Sequence, residues 1–123
     1  MEVDYKIDIA NIIKNALEKD GHNVRVFDNP LLALEYFKSN TKETAVVISD
    51  ARMPGMNGIE LLANIKNAEP KVKAMIMTAF DADTVNLEIK RYDYEIVELF
   101  QKPFTMGNLR QRVKKHLTKE KMY

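Results

Sequence analysis

Apolar residues along this chain fall into two alternating rhythms: short unbroken runs, and longer stretches spaced by three and four. Ile9, Ile12, Ile13, Ala16 and Leu17 recur at the spacing that lines one face of a helix. The segment begins at Ile7 and stops at Asp20-Gly21, with glycine where helices commonly end, which predicts helix α1. Val24, Val26 and Phe27 then predict a short strand, β2, closed by Asp28-Asn29-Pro30. Asn29 is a good N-cap with Pro30 at the first helical position, so Leu31, Ala33, Leu34 and Phe37 are read as one face of helix α2. A polar loop follows from Ser39 to Glu43. The uncharged run Ala45 to Ser49 fits a parallel strand covered on both faces, β3, and it delivers Asp50.

The second half continues the alternation. Gly58 to Ala68 predicts helix α3, with Ile59, Leu62 and Ala63 inward and Leu61 a further candidate for that face, ending before Pro70. Val72 and Ala74 to Met77 predict strand β4, which stops at Thr78-Ala79. Asp81 to Arg91 reads as a polar helix, α4, and Ile96 to Phe100 as strand β5. Lys102-Pro103-Phe104 ends β5, and Thr105 caps a last helix, α5, through Leu109, Val113 and Leu117. Strands alternating with helices imply right-handed crossovers and a three-layer, doubly wound α/β fold with a parallel sheet.

Only Met1-Glu2-Val3 is left ahead of α1 for a first strand, β1, and it carries a carboxylate in its middle. Two registers follow: β1 is short, or β1 is missing and Tyr5 to Asp8 add a turn to α1. A missing β1 would leave the edges of β2 and β3 unpaired and favour self-association.

Size and charge narrow the function. The 123 residues are a single-domain length, read as one domain over 1–123 with a core over 4–118 and a tail over 119–123. Hydrophobic residues make up 46% and charged residues 30%, which points to an ordinary folded domain. A net charge of +1 gives no broad field for nucleic acid or an anionic membrane. The C-terminal cations Arg110, Arg112, Lys114, Lys115, Lys119 and Lys121 read as a solvated helix end favoured by the dipole. Without cysteine there is no disulfide or thiolate chemistry, and His22 and His116 show no ligand spacing. No apolar run reaches bilayer length and the N-terminus is acidic, so a cytoplasmic protein is expected.

In open parallel sheets, ligands bind at the carboxyl ends of the strands. Asp50 follows β3, Thr78 ends β4, and Lys102 with Pro103 follows β5. A carboxylate, a hydroxyl and an ammonium at one sheet edge suit a phosphoryl group: one can carry it, one hydrogen-bonds it and one neutralises it.

Three stretches, Asp50-Ala51-Arg52-Met53-Pro54-Gly55-Met56-Asn57-Gly58, Met77-Thr78-Ala79-Phe80 and Lys102-Pro103-Phe104, together resemble the receiver domain of two-component response regulators. The resemblance spans nearly the whole chain and implies a flavodoxin-like sheet of five strands in the order 2-1-3-4-5. It implies that Asp50 accepts a phosphoryl group from a phosphohistidine on a sensor histidine kinase, that Thr78 and Lys102 assist, and that the Lys102-Pro103 bond is cis. It also implies Mg²⁺, held by Asp50, by the backbone carbonyl of Arg52 and by a pair of acids after β1.

An ungapped alignment puts Asp4 on the first acid but Tyr5 on the second, so weakened Mg²⁺ binding is expected, because a neutral phenol is a poor ligand for it. The aromatic switch residue expected three positions before the lysine is Leu99, with Phe100 adjacent, so either the switch is altered or β5 is shifted by one residue. Arg91 to Glu95 lacks the family's usual Gly-Ala turn.

The expected function is phosphorelay signalling that switches a protein-interaction face on α4, β5 and α5, with a partner protein as the output. A rival is a receiver-shaped interaction scaffold that takes little or no phosphate. A flavin- or nucleotide-binding enzyme of the same class would call for a glycine-rich phosphate loop, and none is present.

Overall fold

The computed structural model describes residues 1–3, 7–52, 57–79 and 81–121; side chains are described for residues 1, 8–52, 57–79 and 81–117. In chain order the elements are β1 (Glu2–Val3), α1 (Ile7–Glu18), β2 (Val26–Phe27), α2 (Pro30–Ser39), a 3₁₀ turn (Thr41–Glu43), β3 (Val46–Asp50), α3 (Gly58–Ala68), β4 (Lys73–Thr78), α4 (Ala82–Arg91), β5 (Glu98–Gln101) and α5 (Met106–Lys121). The five strands are all parallel and lie in the order β2-β1-β3-β4-β5.

The period of two along each strand divides the core into two layers. Val47 of β3 with Ala74 and Ile76 of β4 face Ala33 and Phe37 of α2, Ile59, Leu61, Leu62 and Ile65 of α3, and Val85 and Ile89 of α4. The intervening residues Val46, Ile48, Met75, Met77 and Phe100 face Ile13 and Leu17 of α1 and Leu109 and Val113 of α5. Phe37, Phe100 and Leu109 are fully buried, each stabilising the fold by roughly 1.5–3 kcal/mol relative to exposure. The uncharged character of β3 is explained by this double cover: all five of its residues are buried.

Local chemistry sets the helix ends. Asn29 accepts from the amides of Leu31 and Leu32 with Pro30 at the first turn. Asn57 accepts from the Glu60 amide, and the Thr105 hydroxyl from the Asn108 amide. Gly21, at φ 88°, closes α1: its amide donates to the Glu18 carbonyl and the next, of His22, to Leu17. Part of the polar loop expected from Ser39 to Glu43 is the 3₁₀ turn. β5 starts at Glu98 rather than Ile96; Ile96 packs on the α2–α4 layer ahead of the strand.

β1 is short, and it is present. This corrects the reading in which it was missing. Glu2 and Val3 pair with Val26 and Phe27 on one side and with Ile48 and Ser49 on the other. The Met1 nitrogen donates to the Val46 carbonyl at 2.9 Å, and the Ile48 amide donates to the Met1 carbonyl at 2.8 Å. With β2 and β3 bridged, the premise for self-association through their edges is removed.

Candidate functional site at the strand ends

β3 ends in Asp50, whose chain then turns into α3 under a tight constraint. The Ala51 amide donates to the Met77 carbonyl at 2.8 Å, and the Gly58 amide to the Ala51 carbonyl at 2.9 Å. The first residue of α3 is thereby pulled against the end of β3. A Cβ on Gly58 would collide with the Asp50 carbonyl oxygen and stand 2.7 Å from the Ser49 hydroxyl oxygen. Only glycine fits this approach. The glycine that begins α3 in the sequence pattern is thus also what lets Asp50 sit where it does.

Asp50 is 6% exposed and Thr78, at the end of the neighbouring strand, 1%. Met77 is the β4 partner of Asp50, so Thr78 stands one step further out. Thr78 pairs with Gln101 of β5, and its carbonyl accepts from the Lys102 amide at 2.6 Å. That bond aims the residue after β5 back across the sheet edge, and the Lys102 ammonium lies 3.4 Å from an Asp50 carboxylate oxygen. The Lys102-Pro103 peptide bond is cis.

Asp50 and Lys102 thus meet directly, with Thr78 on the strand between them. With Asp50 largely removed from water, the attraction between the two charges counts for more than it would at the surface. It presents a carboxylate that can carry an electrophile beside a cation that can neutralise it.

Arg52 sends its side chain to α4, where its guanidinium pairs with Glu88 at 3.0 Å. Sequence spacing gives no hint of this pair, because its partners lie on different elements. Asp4 and Tyr5 lie outside the described residues, as do Met53-Pro54-Gly55-Met56 and Phe80. The oxygen donors assigned to the described part of the site, the Asp50 carboxylate and the Arg52 carbonyl, suit a hard cation that retains waters and takes one or two carboxylates. Among the described residues no group of three or more histidines or acids comes together to hold a metal.

The facing of β5 is settled by its register. Leu99 packs on the α2–α4 layer, while Phe100 is buried on the α1–α5 side. The Phe100 ring lies 5.6 Å from that of Phe104 and has the Arg112 guanidinium 4.4 Å above it. Arg112 also donates to the Leu99 carbonyl and, at 2.6 Å, to Glu98, whose other oxygen lies 2.9 Å from His116. Burial raises the Glu98 pKa, but the bonds from His116 and Arg112 outweigh it and hold the carboxyl below its ordinary value. In the turn without Gly-Ala, Asp93 takes a positive φ of 54° and Tyr94 donates its hydroxyl to the Ile59 carbonyl at 2.7 Å. Burial raises the Tyr94 pKa, keeping that donor protonated.

Comparison with known proteins agrees with this architecture. The family model described as the response regulator receiver domain matches residues 1–114, and the chain belongs to that family, the receiver domains of two-component systems. It is 32% identical over 118 residues to the sporulation initiation phosphotransferase F of Bacillus subtilis, covering 94% of this chain and 90% of that protein. It is 30% identical to the response regulator receiver protein CpdR of Brucella abortus over 89% of this chain and 88% of that one. The DNA-binding transcriptional regulator NtrC of Escherichia coli is 33% identical over 102 residues, where this chain spans 21% of its length.

Among solved structures, a receiver domain protein of Clostridium thermocellum superposes with a TM-score of 0.85 at 29% identity, covering 98% of this chain and 94% of that one. Receiver domains typically bind Mg²⁺. Among the described residues no helix is long and apolar enough to cross a membrane.

Proposed function

We propose that this chain is a phosphoacceptor switch: Asp50 receives a phosphoryl group from a phosphohistidine on a sensor histidine kinase, and a downstream effector protein reads the change on the α4-β5-α5 face. The observation that carries this reading is the buried Asp50 carboxylate at the end of β3, 3.4 Å from the Lys102 ammonium. An Asp50 oxygen attacks phosphorus as the bond to the histidine nitrogen breaks; that nitrogen keeps the electron pair. Lys102 neutralises an oxygen of the transferred group, the Thr78 hydroxyl bonds another, and Pro103 closes the strand behind Lys102. Mg²⁺, when bound, supplies positive charge that lowers the repulsion between the carboxylate and the phosphoryl oxygens. Asp50, the Arg52 carbonyl and Asp4 are its proposed ligands. The chain's own chemistry is confined to gain and loss of this group, and its setting is the cytoplasm, with its donor.

Incubation with acetyl phosphate and Mg²⁺, read by intact mass, tests the reading. A single phosphoryl adduct on the wild type, absent from Asp50→Asn, is the expected result. A second reading is favoured by Tyr5 at the position of the second acid. There the chain is an interaction scaffold with weakened Mg²⁺ affinity, and the same incubation gives no adduct at saturating Mg²⁺.

A further inference from the structure

The guanidinium of Arg52 pairs with one anion, Glu88, and a second, Asp50, stands two residues back along the chain. The residue lies two positions past Asp50, with its Cα within about 7.6 Å of the Asp50 Cα by chain geometry alone, inside the span of an arginine side chain. Its side chain is held by Glu88 of α4 at 3.0 Å. The pair is exposed, at 50% and 28% for the two side chains, which makes it a weak contact in water and an exchangeable one. A phosphoryl group is a stronger and doubly charged acceptor for the same planar fork. Arg91 stands three residues beyond Glu88, on the same side of α4, and is spaced to take the Glu88 carboxylate once Arg52 leaves.

We infer that Arg52 is a phosphoryl ligand whose side chain moves from Glu88 to the group on Asp50, so that α4 is tied to the β3–α3 turn in the resting protein and released in the loaded one. The inference rests on the phosphoacceptor reading and adds to it a route from Asp50 to α4. The Arg52 carbonyl and the Arg52 guanidinium then serve opposite charges, the first a cation and the second an anion. Glu88 acts as a competitor for the guanidinium, so its removal and the removal of Arg52 shift phosphoryl affinity in opposite directions. A merely structural ion pair gives both variants the same sign.

The test is titration of the wild type, Arg52→Ala, Arg52→Lys and Glu88→Gln with beryllofluoride and Mg²⁺, followed through the backbone amides of residues 82–91 by NMR. The Arg52→Ala variant is expected to bind about tenfold more weakly, in keeping with the loss of a bidentate charge-assisted contact, and to leave the α4 amides unshifted. Glu88→Gln is expected to bind a few-fold more tightly, and Arg52→Lys to fall between Ala and wild type. If the wild type binds and all variants match it within twofold, or if both single losses weaken binding, the inference is overturned. If the wild type takes neither beryllofluoride nor acetyl phosphate, the phosphoacceptor reading itself fails, and this route with it.

Discussion

All five residues of β3 are buried, whereas in β5 only Phe100 is; Glu98 and Leu99 are half-covered and Gln101 is exposed. Each strand delivers one charged group to the same site, Asp50 from the first and Lys102 from the second. The central strand is held by apolar cover on both faces and needs one special residue, Gly58, to let α3 close against its end. The edge strand is held largely from one side, by α5, through Phe100 packing and the grip of Arg112 and His116 on Glu98. A site assembled from two strands secured by different forces can be weakened from either, with different dependence on pH and salt.

The largest effect falls on the central strand. Gly58→Ala places a methyl against the Asp50 carbonyl, and α3 must separate from β3. A loss of more than about 4 kcal/mol, read from the urea midpoint, is expected from so forced a displacement. A loss below about 1 kcal/mol shows that the turn yields easily and removes the contrast with β5. Next comes Phe100→Ala, which empties a fully buried ring site beneath Arg112. It is expected to cost about 3–4 kcal/mol and to expose β5 amides to hydrogen exchange before those of β3. Simultaneous exchange of both strands contradicts the idea that they are secured separately.

The difference between the strands also governs what was legible in the sequence. The apolar run of β3, the Asn29-Pro30 start of α2 and the Gly58 start of α3 are local signals, and each marked its element closely. The strand-end groups Asp50, Thr78 and Lys102 could be named because a parallel sheet puts the ends of consecutive strands on one edge. The Glu98 network, the Arg52–Glu88 pair and the Tyr94 hydroxyl on the Ile59 carbonyl join residues 14 to 36 positions apart. No periodicity encodes such pairs. Polar residues at those positions read as ordinary surface until the elements are packed together. β1 was ambiguous for a different reason: two residues are too few for any periodic test, and backbone bonds from Met1 to Val46 and Ile48 secure the strand.

The smallest effect falls on the edge strand's ionic grip. In the unfolded chain Glu98 titrates at its ordinary value; in the folded protein burial raises that value, but the bonds from His116 and Arg112 lower it by more. Because the folded pKa is the lower one, the ionised carboxylate stabilises the fold at pH above the ordinary glutamate range. That contribution is lost as pH falls through the lowered folded value. The groups facing it are Arg112 and His116 of α5, while Lys73 of β4 bonds the His116 carbonyl at 3.0 Å and fixes that turn of the helix. Glu98→Gln keeps the shape and removes the charge. Urea unfolding should show it about 1–2 kcal/mol less stable than wild type at neutral pH, with the gap closing in acid as the wild-type carboxylate protonates. The absence of a gap at neutral pH assigns the grip to packing of Phe100, and β5 is then held by the same apolar cover as β3.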